Sequence, residues 1–162
     1  MLSDTHGCID EKILKHVDWA DQIWHAGDIG SMSVLEQLEE LKPTRAVFGN
    51  IDDHRIRSAC PENQIFTCEG VSVLMRHIGG YPGRYNATTQ SLLTQHRPKL
   101  YICGHSHILK VQHDKQKQLL HLNPGAAGIS GFHKIRTLLR FTIDKGEIEN
   151  LEIAEMGNRY KL

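Results

Sequence analysis

Residues 99–107 read Lys-Leu-Tyr-Ile-Cys-Gly-His-Ser-His. The apolar run has strand character and stops at Gly104, and two imidazoles follow it one residue apart. Alternate residues of a chain leaving a strand point to the same side, so His105 and His107 can be aimed at one point. The same arrangement recurs upstream. Asp4-Thr5-His6 follows Met1-Leu2, and Gly27-Asp28 follows a strand predicted over 22–25. Gly49-Asn50-Ile51-Asp52 follows a strand predicted over 45–48, and His77 follows one predicted over 71–76. Each signature alone is an ordinary turn. Five in series, each after an apolar run, are hard to obtain by accident.

The segments between these signatures settle the fold class. Ile13, Leu14 and Val17 share one face of a helix over 10–20 that Asp10 can cap. Ser31 or Ser33 can cap a second helix through Leu41, with Val34, Leu35, Leu38 and Leu41 as its apolar stripe and Pro43 beyond its end. Residues 50–62 are polar and predict a loop. Strands are predicted over 64–68 and 71–76, and a third helix over 86–96. Hairpins follow at 108–122 and 135–154. Strand and helix alternate over two thirds of the chain and strands dominate the rest. That order predicts an α/β layered protein with a mixed sheet. No linker or repeat divides residues 1–162, so a single domain is expected.

In such sheets, loops at the carboxyl ends of strands converge on one crevice. The five signatures would therefore bring Asp4, His6, Asp28, Asn50, His77, His105 and His107 together. Imidazole, carboxylate and amide donors suit first-row divalent ions such as Mn, Fe, Zn or Ni. Seven donors exceed one tetrahedral site, and they fit two ions if a carboxylate bridges. The glycines before Asp28, Asn50 and His105 permit tight turns and close backbone approach.

Composition narrows the rest. Nineteen Lys and Arg balance nineteen Asp and Glu, which argues against long nucleic acids or an anionic membrane as partners. No apolar run reaches the roughly 20 residues of a membrane span, and no signal segment is read, so the cytoplasm is the expected location. The four cysteines at 8, 60, 68 and 103 make no CxxC pair and are expected as reduced thiols. Eleven histidines are the one compositional excess.

Read in order, the signatures D-x-H, GD, GN, H and GHxH resemble the calcineurin-like metallophosphoesterase superfamily. Ser3-Asp4-Thr5-His6-Gly7, Gly27-Asp28, Gly49-Asn50-Ile51-Asp52, Gly104-His105-Ser106-His107 and Asn123-Pro124-Gly125 look like its small single-domain prokaryotic phosphodiesterase branch. The resemblance covers nearly the whole chain. It implies a four-layer α/β/β/α sandwich with two mixed β-sheets flanked by helices. It implies one ion on Asp4, His6, Asp28 and His107, and a second on Asp28, Asn50, His77 and His105, with manganese the first choice. It also implies hydrolysis of a small phosphodiester by in-line attack of a metal-bridging hydroxide.

Three positions depart from the family pattern. Only Met1-Leu2 precede Ser3, so the first strand is expected to be short or truncated. Ile51 stands where many relatives have a histidine that protonates the leaving group, which predicts a preference for good leaving groups. The middle-motif histidine is followed by isoleucine, as His77-Ile78-Gly79, where relatives often have glycine.

The remaining candidates concern protons and substrate. His54 is a candidate replacement acid, and Asp52 is either a carboxylate orienting a ligand or a turn residue. His25 reads as a core or supporting histidine, and Cys8 as a small buried residue. Arg84 and Tyr81, in the loop after His77, are candidates to hold a phosphate oxygen or an aryl group, with Arg55 and Arg57 as competitors. The alternative functions are a non-catalytic interaction scaffold, which would lack ligands, and a phosphomonoesterase. The sequence is also compatible with a homo-oligomer.

Overall fold

The computed structural model describes residues 1–132 and 134–159. His133, for which the sequence suggested no role, lies outside them.

Among the described residues, four helices and nine strands follow in the order α1 (Glu11–Val17), β1 (Ile23–His25), α2 (Met32–Leu41), β2 (Thr44–Ala46), α3 (His54–Ala59), β3 (Asn63–Cys68), β4 (Val71–Arg76), α4 (Ala87–His96), β5 (Leu100–Ile102), β6 (Leu109–Asp114), β7 (Leu119–Pro124), β8 (Ile135–Asp144) and β9 (Glu147–Asn158). Local chemistry sets the helix starts. Asp10 accepts from the Ile13 amide at the head of α1, and Asn86 accepts from the Thr89 amide at the head of α4. α3 interrupts the loop expected over 50–62. Asp53 caps it through the Arg55 and Ile56 amides, and Ile56 alone is buried, so no apolar stripe announced it.

A five-stranded mixed sheet runs β3-β4-β5-β7-β6, with β4, β5 and β7 parallel and the outer pairs antiparallel. β1 and β2 form a separate parallel pair, and β8 and β9 a separate antiparallel pair. The expected α/β architecture is present, with one sheet mixed, while the strands of the expected second sheet form these two separate pairs. The reason lies at Met1-Leu2. Leu2 makes only an isolated parallel bridge to His25. The Leu2 amide donates to Trp24 O and the Ala26 amide to Leu2 O, while the Leu139 amide donates to Met1 O. These two residues stitch β1 to β8, but they are too short to count as a strand, so the ladder is divided there.

Three apolar cores result. Ile13, Val17, Val34, Leu35, Leu38 and Ile56 of α1–α3 pack with Ile23, Leu138 and Met156. Trp24, Val47 and Leu139 pack against Val71, Val73, Met75, Leu100, Ile102 and Leu122. Leu93 of α4 packs with Leu74, Tyr101 and Leu119 on the far face of the five-stranded sheet. Each fully buried aliphatic side chain contributes about 1.5–3 kcal/mol. This fixes the sheets rigidly and leaves the loops beyond their strand ends to carry chemistry. No helix among the described residues is long and apolar enough to cross a membrane.

Candidate metal centre

The five signatures occupy the loops after Leu2, β1, β2, β4 and β5. They meet in two triads. Asp4, His6 and His107 place their donor atoms within 4.8 Å of one another, as do Asp28, His77 and His105. In the first triad His107 Nε2 lies 3.2 Å from Asp4 Oδ1 and 3.3 Å from His6 Nε2. In the second, His77 Nε2 lies 3.1 Å from Asp28 Oδ1 and 3.2 Å from Asn50 Oδ1. The other oxygen of Asp28, Oδ2, lies 3.8 Å from His6 Nε2 in the first triad. Asp28 thus faces one cluster with each oxygen.

The backbone at these positions is costly. Asp4, His6, Asp28, His105 and His107 all have positive φ, between 49° and 67°. For a residue with a Cβ this conformation costs on the order of 1–2 kcal/mol, and it persists only where packing imposes it. Two glycines show how tightly the loops are drawn together. A Cβ at Gly49 would lie 2.0 Å from Asp28 Oδ1, and one at Gly27 would lie 2.6 Å from His77 Nδ1.

Buried polar groups set the ligand orientations. The His77 Nδ1–H donates to Ala26 O at 2.8 Å, which turns Nε2 toward Asp28 and Asn50. The His105 amide donates to Asp4 Oδ2 at 3.2 Å. Asp4 Oδ1 is buried and receives no hydrogen bond. A buried carboxylate oxygen held that way, beside two imidazole nitrogens, is what a divalent cation requires and what a purely structural carboxylate avoids. The donor set therefore fits two metal ions.

Protonation follows from the same geometry. Burial lowers the pKa of His6, partly against the attraction of Asp28 and Asp4. Burial also lowers that of His105, with the neighbouring His77 adding to the effect. At His77 burial pulls downward too, but the hydrogen bond to Asp28 and the charges of Asp4 and Asp28 outweigh it and the pKa is raised. Burial works to raise the pKa of Asp28, and the hydrogen bond and charge of His77 lower it on balance.

His25 is fully buried beneath the centre, and burial lowers its pKa to about 4. Its Nδ1 accepts from the Gly27 amide at 3.2 Å, so Nε2 carries the proton and donates to Thr5 Oγ1 at 2.9 Å. Thr5 Oγ1 in turn donates to Ile29 O at 3.0 Å. This neutral relay ties the Asp4-His6 loop to the Asp28 loop, and it has no proton to offer a leaving group.

Asp52 has a place the sequence left undecided. Its Oδ1 accepts from the Gly30 amide at 2.7 Å, and its Oδ2 from the Gly49 amide at 2.7 Å and the Ile29 amide at 3.1 Å. It orients two ligand loops through their backbones and makes no hydrogen bond to a metal-ligand side chain, so it is a positioning residue. His54 stands exposed in the first turn of α3, where its charge acts on Asp53, and it belongs to neither triad. Ile51 is 47 % exposed, and its amide donates to Asp28 Oδ1 at 3.1 Å. Tyr81 and Arg84 close an exposed turn on each other, and Lys110 Nζ sits 4.5 Å over the Tyr81 ring. The described contacts bring neither side chain to the triads. Arg55 is exposed on α3.

Two contributors were not foreseen. Asn123 donates from Nδ2 to Gly104 O at 2.8 Å and to Ser106 Oγ at 3.1 Å, bracing the His105-Ser106-His107 loop. The Asn-Pro-Gly motif marked its position but not that task. The second is Arg76, which lines a cleft together with Asn50, His77 and Arg57, the last already a candidate for a phosphate oxygen. Arg76 lies inside a strand, where no loop motif draws attention to it.

The comparisons with known proteins agree with this geometry. The family model for the calcineurin-like phosphoesterase superfamily domain matches residues 1–146. A probable metallophosphoesterase of Methanothermobacter thermautotrophicus is 29 % identical over 131 residues, covering 78 % of this chain and 74 % of that protein. Among solved structures, an archaeal protein described as a novel phosphodiesterase superposes with a TM-score of 0.73 at 18 % identity, over 95 % of this chain and 96 % of that one. Vps29 of Entamoeba histolytica in complex with Zn2+ superposes with a TM-score of 0.71 at 15 % identity, over 96 % of this chain and 97 % of that one. The two triads and the family match over nine tenths of the length lead to one statement: this chain belongs to the calcineurin-like phosphoesterase superfamily.

Proposed function

We propose that the protein is a metal-dependent phosphodiesterase that holds two divalent ions, Mn2+ first among Mn2+, Ni2+, Fe2+ and Zn2+, and acts on small phosphodiesters. The observation that carries this reading is Asp28, whose Oδ1 is 3.1 Å from His77 Nε2 and whose Oδ2 is 3.8 Å from His6 Nε2. A carboxylate shared in that way belongs to a two-ion centre. Asp4, His6 and His107 would hold one ion, and Asn50, His77 and His105 the other. When bound, two such ions supply Lewis acidity toward the phosphoryl oxygens and a nucleophile at neutral pH.

The chain's own residues do the rest. His25 and Asp52 fix the ligand loops, and Asn123 fixes the last pair of histidines. Ile51 and His25 leave the leaving group without a protonated partner, which favours esters whose leaving groups are already stable anions. This supports a diesterase over a monoesterase of simple alcohols. A scaffold that had lost the chemistry would show gaps in the donor set, and all seven positions carry a donor. The three cores further support a four-layer sandwich in which β1–β2, Met1-Leu2 and β8–β9 act as the second sheet.

The test is a panel of metal-stripped protein reloaded with Mn2+, Ni2+, Zn2+, Mg2+ or none, against bis-p-nitrophenyl phosphate, p-nitrophenyl phosphate and cyclic nucleotides. Mn2+-dependent turnover of the diester, above the monoester, is expected. No diester turnover with any ion would overturn the reading.

A further inference from the structure

Arg76 is the last residue of β4, directly before His77, and only 5 % of its surface is exposed. A guanidinium offers five N–H donors and cannot lose its charge. Here Nη2 donates to Glu62 Oε1 at 3.2 Å, and that carboxylate side chain is 60 % exposed. Nε and Nη1 are buried and meet no acceptor. A buried cation with two idle donors and one loosely held counter-ion is an unfinished pairing.

Its surroundings say what would finish it. Arg76, Glu62 and Arg57 share a cleft with Asn50 and His77, two of the metal-ligand candidates. Arg57 is held in place there. Its Nε donates to Asp52 O at 2.7 Å, its Nη2 lies 3.1 Å from Gly49 O, and its guanidinium carbon sits 4.5 Å over the Phe48 ring. Two guanidinium groups against one carboxylate leave the cleft with a positive excess. A planar fork of N–H donors matches the oxygens of a phosphate or a carboxylate two at a time, and the neighbouring centre is one built for phosphate esters.

We propose that this cleft is a second phosphate subsite, in which Arg76, supported by the charge of Arg57, binds a phosphate carried by the substrate outside the scissile diester. Glu62 occupies one donor until that phosphate displaces it. The preferred substrate is then a phosphodiester bearing a further phosphate group. The substrate part of this assignment rests on the phosphodiesterase reading above, whereas anion binding by the cleft does not.

The first test therefore uses metal-free protein in EDTA at low ionic strength, titrated with inorganic phosphate by calorimetry. Binding is expected in the wild-type protein. Arg76→Gln should weaken it at least about ten-fold. Glu62→Gln should tighten it about 2–5-fold, the factor that corresponds to one half-exposed ion pair. If Arg76→Gln does not fold, Glu62→Gln decides, because its side chain is exposed. Unchanged phosphate affinity in Glu62→Gln, or in a folded Arg76→Gln, overturns the subsite. The second test compares the metal-loaded enzyme on the dinucleotide ApA and on pApA, which carries one more phosphate. A preference for pApA that lies in KM and collapses in Arg76→Gln is expected. Phosphate binding without any such preference would show a site for free phosphate and overturn the substrate assignment. Absence of turnover on both would count against the phosphodiesterase reading and leave the calorimetric result standing.

Discussion

Asp28 and His77 lie 49 positions apart in the sequence and yet meet at hydrogen-bond distance, 3.1 Å from Oδ1 to Nε2, while the opposite carboxylate oxygen faces His6. One carboxylate therefore links the two halves of the centre. Asp28→Asn keeps the shape and removes the charge that two cations would share. We expect the variant to retain at most one tightly bound ion and to lose more activity than the about 10–100-fold that outer partners of a metal site cost. Metal analysis after gel filtration checks this. Two ions per chain and full activity in Asp28→Asn would remove the bridge.

Asp52 supports the centre through three backbone amides rather than through chemistry of its own. Asp52→Ala leaves three donors without their acceptor in a buried place. A loss of about 3–4 kcal/mol in stability is expected, with weaker metal binding alongside it. Urea denaturation of the metal-free protein measures the first. Wild-type stability combined with lost turnover would instead assign Asp52 a chemical role.

The buried His25 makes the fold sensitive to acid. Its pKa is about 4 in the folded state, against an ordinary value of 6.5. The unfolded chain therefore binds a proton between these values and the folded chain does not, so stability falls as the pH drops through that window. The full effect is about 3 kcal/mol, present above pH 6.5 and gone below about pH 4. Burial lowers His121 to about 4 as well, so it adds a slope of the same sign. Denaturation midpoints in EDTA between these limits check it. His25→Gln should flatten part of the slope, and an unaltered slope in that variant would place the titration elsewhere.

Ile51 offers a gain-of-function test. Its side chain is half exposed beside Asn50, and its amide already touches Asp28. Ile51→His would restore a proton donor, worth up to about 10²–10⁴-fold on diesters with poor leaving groups and little on p-nitrophenyl esters. His54→Ala should leave both rates alone, because His54 stands exposed beside Asp53 on α3. A rate loss confined to poor leaving groups in His54→Ala would bring that histidine back as the acid.

Much of this was legible in the sequence because the ligand residues sit where strands end. The alternation of apolar runs with short polar signatures pointed to both the layered α/β fold and the convergence of Asp4, Asp28, His77 and His107. What stayed hidden depends on contacts between distant segments. α3 has one buried apolar residue, Ile56, and so shows no periodicity. The three acceptor bonds of Asp52 and the relay through His25 and Thr5 run between loops, and a single chain reading gives no sign of which amides a carboxylate will meet. The division of the second sheet at Met1-Leu2 turns on two residues. The positive φ of five ligand residues leaves no mark in residue type, since aspartate and histidine are there for their donor atoms.

The most direct measurement is the rate of bis-p-nitrophenyl phosphate hydrolysis as Mn2+ is added stepwise to metal-stripped protein. A two-ion centre bridged by Asp28 predicts activity that rises to a plateau at two equivalents per chain. A plateau at one equivalent, or no hydrolysis at any ratio, would contradict it.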